Sequence, residues 1–289
     1  MGEVISVVNQ KGGVGKSTMA SILARNLAKT HRVLLIDFDG QATLTELVDL
    51  PSHFDADFLD EYRKTDSISK IFERETIEPL DITSILKDEN GKSIVPINEL
   101  HFIPSAGNSM SFIAESVSAG KDLMLKKFLG KIKGDYDYIV IDALPSVTTL
   151  FKNVLLASDA LIIPIQTKTN AIAGANSFLK ILDEVLGDYE NSYKHIFVLP
   201  TMYNKQRKDD NDTLAEIMTG YMKYLKALTH LGKIPSSMLD AIPERSVFSN
   251  AQSVRYFLQD YIEGFDTGKK DILLLIEKMS NTIISTLKG

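Results

Sequence analysis

The stretch from Val4 to Thr18, VISVVNQKGGVGKST, restricts this chain of 289 residues more than any other. Val4, Ile5, Val7 and Val8 form a β-branched apolar run that reads as a short strand buried on both faces. Gly12, Gly13 and Gly15 follow, and Lys16, Ser17 and Thr18 open a helical pattern. Glycines allow a tight turn, and the N–H groups of such a turn converge on an anion. The positive end of the following helix adds to that attraction. Strand, glycine loop and helix in this order form the setting of a phosphate-binding loop. In that reading Gly12, Gly13, Val14, Gly15 and Thr18 surround the phosphates, Lys16 reaches the β- and γ-phosphates, and the Ser17 hydroxyl ligates Mg²⁺. The plainer alternative is a glycine-rich turn that binds nothing. Strand, glycines, lysine, hydroxyl and helix together weigh against it.

The rest of the chain fits the same setting. Ser17 to Lys29 is predicted helical, with Ile22, Leu23 and Leu27 on one face and Ala20, Ala24 and Ala28 permitting close packing. Arg32 to Phe38 is the next buried strand. Asp37 and Asp39 stand at its C-terminal end, where open α/β sheets gather their ligands. Read alone, the pair either caps a turn or serves a metal and a water. Leu100 to Pro104 is a short strand, Lys121 to Lys133 a helix, and Tyr136 to Leu144 a buried strand carrying Asp142 near its tip. Such an aspartate either caps the next helix or holds Mg²⁺ through water. Asn153 to Ile165 reads as helix then strand, Ala173 to Leu186 as amphipathic helix, and His195 to Pro200 as strand. Six apolar strands alternating with helices predict an α/β fold, a doubly wound, mostly parallel sheet flanked by helices with right-handed crossovers. Between them, about residues 49–98 are interrupted by Pro51, Pro79 and Pro96 and by a turn at 88–92, with short helices expected near 56–64 and 67–74. This reads as an elaborated connection inside one domain spanning 1–289.

Composition removes several classes of function. The chain has no cysteine, so disulfides, thiolate zinc sites and cysteine-held iron–sulfur clusters are out of reach. His31, His53, His101, His195 and His230 are scattered without metal-ligand spacing. The N-terminus runs directly into a strand rather than a signal peptide, and no apolar run approaches a membrane span. A net charge of −6 lends no global support to nucleic-acid binding. A local basic patch still acts over roughly 10 Å. The C-terminal third holds the candidates. Lys205, Arg207 and Lys208 follow a strand, Lys223 and Lys226 end a helix expected over Asp212 to Leu228, and Arg245 and Arg255 lie beyond it. A solvated basic face is the alternative for each. The closing helix, Lys270 to Leu287, carries Ile272, Leu275, Ile276, Met279, Ile283 and Leu287 at helical spacing. That stripe packs on the sheet or binds a membrane, and the absence of aromatic residues favours packing.

K-G-G-V-G-K-S-T, Lys11 to Thr18, resembles the deviant P-loop of the ParA/MinD ATPases. The usual P-loop places glycine at Gln10; here a second lysine, Lys11, precedes the paired glycines. DFDGQATLT resembles that family's aspartate segment, with Gly40 where proline is usual, and Asp142–Pro145 its Walker B segment, with Leu144 where a first proline is usual. Ile242 to Ala251 resembles the segment near the adenine, which includes Pro243. The resemblance covers residues 3–48 strongly, 100–200 well and 200–289 more loosely. It implies ATP and Mg²⁺ as cofactors and a weak intrinsic ATPase. Lys11, Lys16 and Asp39 would be catalytic, Asp39 by orienting the attacking water, and Ser17, Asp37 and Asp142 would make up the magnesium shell. It also implies that ATP brings two copies face to face, with Lys11 reaching the partner's phosphates. Within the family the chain looks like a ParA-type partition ATPase without an N-terminal helix-turn-helix domain. The expected behaviour is that of a cytoplasmic, nucleoid-associated dimer that binds DNA without sequence preference through Lys205, Arg207, Lys208, Arg245 and Arg255. A ParB-like partner would stimulate hydrolysis, which releases the DNA, and no membrane would be involved. A MinD-like membrane-cycling ATPase and a P-loop metabolic ligase are the alternatives; a nitrogenase-iron-protein-like reductase falls with the missing cysteines.

Overall fold

The computed structural model describes residues 2–48, 62–73, 77–84, 86, 92–107, 110, 121–145, 148–168, 171–189 and 191–289. Their strands are β1 (Glu3–Val7), β2 (Arg32–Phe38), β3 (Leu80–Asp81), β4 (Glu99–Ile103), β5 (Tyr138–Ala143), β6 (Ala160–Gln166), β7 (His195–Thr201) and β8 (Ser236–Met238). They form one sheet in the order β3-β4-β2-β5-β1-β6-β7-β8. Every ladder is parallel except β3–β4. The glycine-loop strand is therefore central, flanked by β5 and β6. The two strands beyond the six expected are short edge pieces with little apolar character. β3 has two residues and β8, Ser-Ser-Met, has three half-buried ones, so neither shows as an apolar run.

Helices cover both faces, which is why the inner strands are mainly apolar on both sides, with Asp37 and Asp142 near their C-terminal ends. Alternate residues of β2 divide between two cores: Leu34, Ile36 and Phe38 pack on one side, Val33 and Leu35 on the other. The first side holds α3 (Met124–Ile132), α4 (Thr149–Ala157), α5 (Ala171–Tyr189), α6 (Lys208–Glu216) and α7 (Met222–Ala227). The second holds α1 (Lys16–Leu27), α2 (Thr43–Val48), α8 (Ser246–Ser253), α9 (Leu258–Phe265) and α10 (Lys270–Lys288).

Several expected helices are altered by local chemistry. The helix expected from Lys121 starts at Met124, because Asn153 accepts from Leu125 N (3.0 Å) and donates to Lys121 O (2.9 Å), holding 121–123 as a turn. The single helix expected over 212–228 is α6 and α7 joined by a π-turn, Ile217–Tyr221. The wider turn lets Ile217 and Tyr221 both reach 0% exposure, while Thr219 bonds back to Ala215 O at 2.8 Å. The helix near 67–74 is a 3₁₀ turn, Ile68–Phe72, entered from an extended Ser67 whose hydroxyl pairs with Ser69. Of the helix expected near 56–64, residues 62–64 are helical; 56–61, and 88–91 of the expected turn, lie outside the described residues.

Candidate nucleotide site

The site assembles at the C-terminal ends of the parallel strands. β1 delivers the chain into the glycine loop, where Gly13 (φ 71°) and Gly15 (φ 94°) take left-handed backbone that a side chain would strain. Gly15 then precedes α1, whose first turn carries Lys16 and Ser17. Asn9 shapes the entry: its side-chain oxygen accepts from Lys11 N (2.9 Å) and its amide donates to Pro164 O (2.7 Å).

Two neighbouring strand tips set the loop peptides. Gln166, at the end of β6, donates to Gly13 O at 2.7 Å. Thr201, at the end of β7, donates to Val14 O at 3.0 Å. In a trans peptide the carbonyl and the next N–H point to opposite sides. Tying these two carbonyls to β6 and β7 therefore turns the N–H groups of Val14 and Gly15 the other way. Among the described residues, nothing accepts from the N–H groups of Gly12, Gly13, Val14 or Gly15. Consecutive unpaired N–H groups at a helix start suit an anion with several oxygens.

The carboxylates are placed by register. Asp37 of β2 lies beside Asp142 of β5, and Val7, which leads into the loop, lies on the other side of Asp142. Their surroundings differ. Asp37 Oδ1 accepts from Asp39 N (3.0 Å), and Oδ2 accepts from Thr45 N (2.8 Å) and Thr45 Oγ1 (2.7 Å). Burial nevertheless raises its pKa to about 6 against those donors, with Asp39 adding repulsion. Asp142 is fully buried, and neither of its oxygens makes a hydrogen bond of normal geometry. Burial and then Asp37 push its carboxyl well above the usual range, against the pull of the nearby Ser17 hydroxyl and Lys16. An orphaned carboxylate in an apolar strand tip is costly unless a cation or a proton meets it. Lys16 is 6% exposed and makes one long contact, to Lys11 O at 3.4 Å. Burial lowers its pKa, while Asp142 and Asp39 raise it. Asp39 accepts from Gln41 N at 3.0 Å. Lys11 is exposed at the rim, its ammonium 3.2 Å from Gln166 Oε1.

A family model described as an AAA domain matches residues 2–195. The chain is 35% identical to an uncharacterized protein of Methanocaldococcus jannaschii, over 71% of this chain and 74% of that one. It is 31% identical to the sporulation initiation inhibitor protein Soj of Bacillus subtilis, over 62% and 64%. A plasmid partition protein of Borrelia burgdorferi, solved with AMPPNP bound, superposes with a TM-score of 0.65 at 28% identity, over 96% and 99% of the two chains. The chain belongs to the ParA/Soj family of partition ATPases. Its doubly wound sheet is the P-loop NTPase fold of those structures.

The ParA/Soj assignment makes the outlying residues worth locating. Pro243 bridges Tyr203, and Tyr203 N donates to Ile242 O (3.1 Å) while Glu244 N donates to Tyr203 O (2.9 Å). The loop after β7 and the segment before α8 thus run side by side, and Lys205, Pro243 and Arg245 line one cleft with Tyr203 and Asn204. Arg207 and Lys208 line a neighbouring hollow with Lys168. Arg255 stands apart, in a hollow with Ser17, Leu44 and Gln252. The five basic residues are not one patch. Glu244 takes both Lys168 (2.8 Å) and Arg207 (2.5 Å), and Arg245 lies 3.9 Å from Asp271. Sequence reasoning passed over Gln166 and Thr201 because the apolar runs stop at Ile165 and Pro200, one residue short of each. The rule that α/β ligands gather at strand tips was the available signal.

Proposed function

We propose that this ATPase is a nucleotide-timed DNA-partition switch of the ParA type. The carrying observation is the unpartnered Asp142 carboxylate beside a nearly dry, under-bonded Lys16, at a glycine loop where, among the described residues, the N–H groups of Gly12 to Gly15 have no acceptor. An arrangement with that much unmet hydrogen-bonding capacity is organised for a polyphosphate and a cation. Asp142 and Ser17 would hold Mg²⁺, which supplies charge neutralisation between the β- and γ-phosphates. Asp37, with both oxygens engaged by Asp39 N and Thr45, would add its charge to that shell from behind. Lys16 holds phosphate charge, and Asp39, at the rim of β2, orients the attacking water. Among the described residues no strongly basic general base stands in the site, so turnover by the isolated chain is expected to be slow.

Lys11, exposed at the rim, is read as the lysine that a second copy receives. A charge lent across an interface stabilises that interface only while the triphosphate is present. The ATP dimer then doubles the cations available to DNA phosphates, and a ParB-like partner triggers hydrolysis and release. Among the described residues no helix is long and apolar enough to cross a membrane. The apolar stripe of α10 is spent on the core, with Ile272, Ile276, Met279, Ile283 and Leu287 all buried. That supports DNA over a membrane as the surface the switch addresses. The test is retention on non-specific DNA with ATP, with ADP and without nucleotide, beside co-sedimentation with anionic vesicles. Retention on DNA with ATP alone is expected. Equal retention in all three states, or ATP-dependent vesicle binding, overturns the reading.

A further inference from the structure

The side chain of Gln166 joins the two parts of the site that the proposed switch must coordinate. Its oxygen accepts from the Lys11 ammonium at 3.2 Å, and its nitrogen donates to Gly13 O at 2.7 Å. The same nitrogen lies 3.3 Å from Met202 Sδ, and Met202 holds a left-handed backbone (φ 56°) unusual for a residue with a side chain. One amide therefore binds the rim lysine with one end and the phosphate loop with the other. Lys11 has no carboxylate partner among the described residues; its only side-chain bond is to this amide.

We propose that Gln166 is a positioning residue that parks Lys11 on its own subunit and so sets how readily the ATP-loaded chain pairs with a second copy. This rests on the reading above that Lys11 acts in trans. The parked lysine is displaced from the partner's phosphates, and pairing requires the Lys11–Gln166 bond to break. The amide is a fitting holder because it is neutral. It retains the ammonium by one hydrogen bond, which is modest at an exposed site, and releases it without leaving a buried charge behind. A carboxylate in the same place would hold more tightly and would bring a negative charge to an interface crowded with phosphate.

The test uses the full chain with Mg²⁺ and a non-hydrolysable ATP analogue at saturation, and reads the rate of dimer formation by stopped-flow light scattering. Gln166→Leu releases Lys11, and association should quicken about fivefold. Gln166→Glu holds Lys11 harder, and association should slow about fivefold at low salt, converging on the wild-type rate at high salt because an exposed ion pair is screened. A purely structural role would move both variants in the same direction and would leave the salt response unchanged. Lys11→Ala separates the two levels of the argument. If it blocks dimerisation while both Gln166 variants associate at the wild-type rate, parking is wrong and the trans lysine survives. If Lys11→Ala pairs like wild type, the trans reading falls and parking falls with it.

Discussion

Helix α1 carries a buried cation at each end, and the two are treated in opposite ways. Arg25, in the last turn, is 0% exposed, and each of its three guanidinium nitrogens is hydrogen-bonded. It makes two bonds to Asp260 (2.7 and 2.8 Å) and donates to Val95 O (2.9 Å) and Pro96 O (3.1 Å). Lys16, in the first turn, is almost as buried but has a single 3.4 Å contact. A buried cation bonded at every nitrogen is a structural joint, here between α1, α9 and the segment before β4. A buried cation with unused donors is held ready for something that arrives later. Three side chains fasten the intervening face of α1 to the C-terminal helices: Gln252 to Thr18 Oγ1 (2.8 Å), Gln259 to Ile22 O (2.7 Å) and Asp260 to Arg25. Their spacing along α1 follows the helical repeat, so the helix that follows the glycine loop is fastened along one face.

The Arg25 end gives the largest expected effect. Asp260→Ala leaves Arg25 buried with half its partners, and breaking one side of a buried pair costs about 3–5 kcal/mol. Urea denaturation should show that loss, while magnesium-nucleotide affinity of the folded fraction stays close to wild type. A variant with unaltered stability would mean that the joint is dispensable.

The Lys16 end should behave in reverse. Lys16→Ala should lower ATP affinity by at least about two orders of magnitude, the scale of a preorganised charge on phosphate, and abolish the nucleotide-dependent dimer. Stability without nucleotide should not fall, because an under-bonded buried charge is removed. Isothermal titration and thermal melting check the two halves separately. A Lys16→Ala chain that binds ATP normally, or that melts well below wild type, would erase the contrast between the two ends of α1.

The strand-tip carboxylates extend the comparison to anions. The native pKa of Asp37 is raised from 3.8 to about 6. The folded state therefore holds that proton more tightly than the unfolded chain does. Its contribution is fully present below about pH 4 and is lost as pH rises through 6. For this group alone, unfolding free energy should fall by about 2 kcal/mol between pH 4.5 and 7 without nucleotide. Asp37→Asn should flatten that slope, and Mg²⁺ with ADP should offset it, since a cation favours the deprotonated pair. Urea midpoints at the two pH values measure it. A wild-type midpoint that rises with pH no less than that of Asp37→Asn would contradict the assignment.

Much of this was legible in residues 4–18 and in the apolar strands, because a strand buried on both faces leaves a continuous signal and a glycine loop leaves a sharp one. The doubly wound, mostly parallel sheet followed from them; its strand order did not. What stayed hidden depends on contacts between distant parts of the chain. Gln166 and Thr201 are polar residues at strand ends, indistinguishable in sequence from loop starts. Nothing local marks Asp260 as the partner of Arg25, 235 positions earlier. The π-turn at Ile217–Tyr221 follows from what the helix packs against, not from propensity. The C-terminal third holds the five basic residues expected to meet DNA, and the folded chain distributes them among three hollows.

Arg207 and Lys168 are the third case, paired yet exposed, and they yield the smallest effect. Glu244 sits between Lys168 and Arg207, and those two hold its carboxyl below the usual range, the Lys168 hydrogen bond contributing most. One carboxylate therefore engages two cations beside the proposed DNA surface and offsets one of their charges. Glu244→Gln removes the carboxylate's charge, keeps the shape and frees both. Retention of the ATP-loaded chain on non-specific DNA should strengthen by about threefold at low salt, with a steeper dependence on salt because more counterions are displaced. The measurement belongs at saturating ATP, since Glu244 also lines the cleft beside Pro243. If retention is unchanged and the salt slope does not steepen, Lys168 and Arg207 do not face DNA, and the DNA surface must be sought on a different part of the rim.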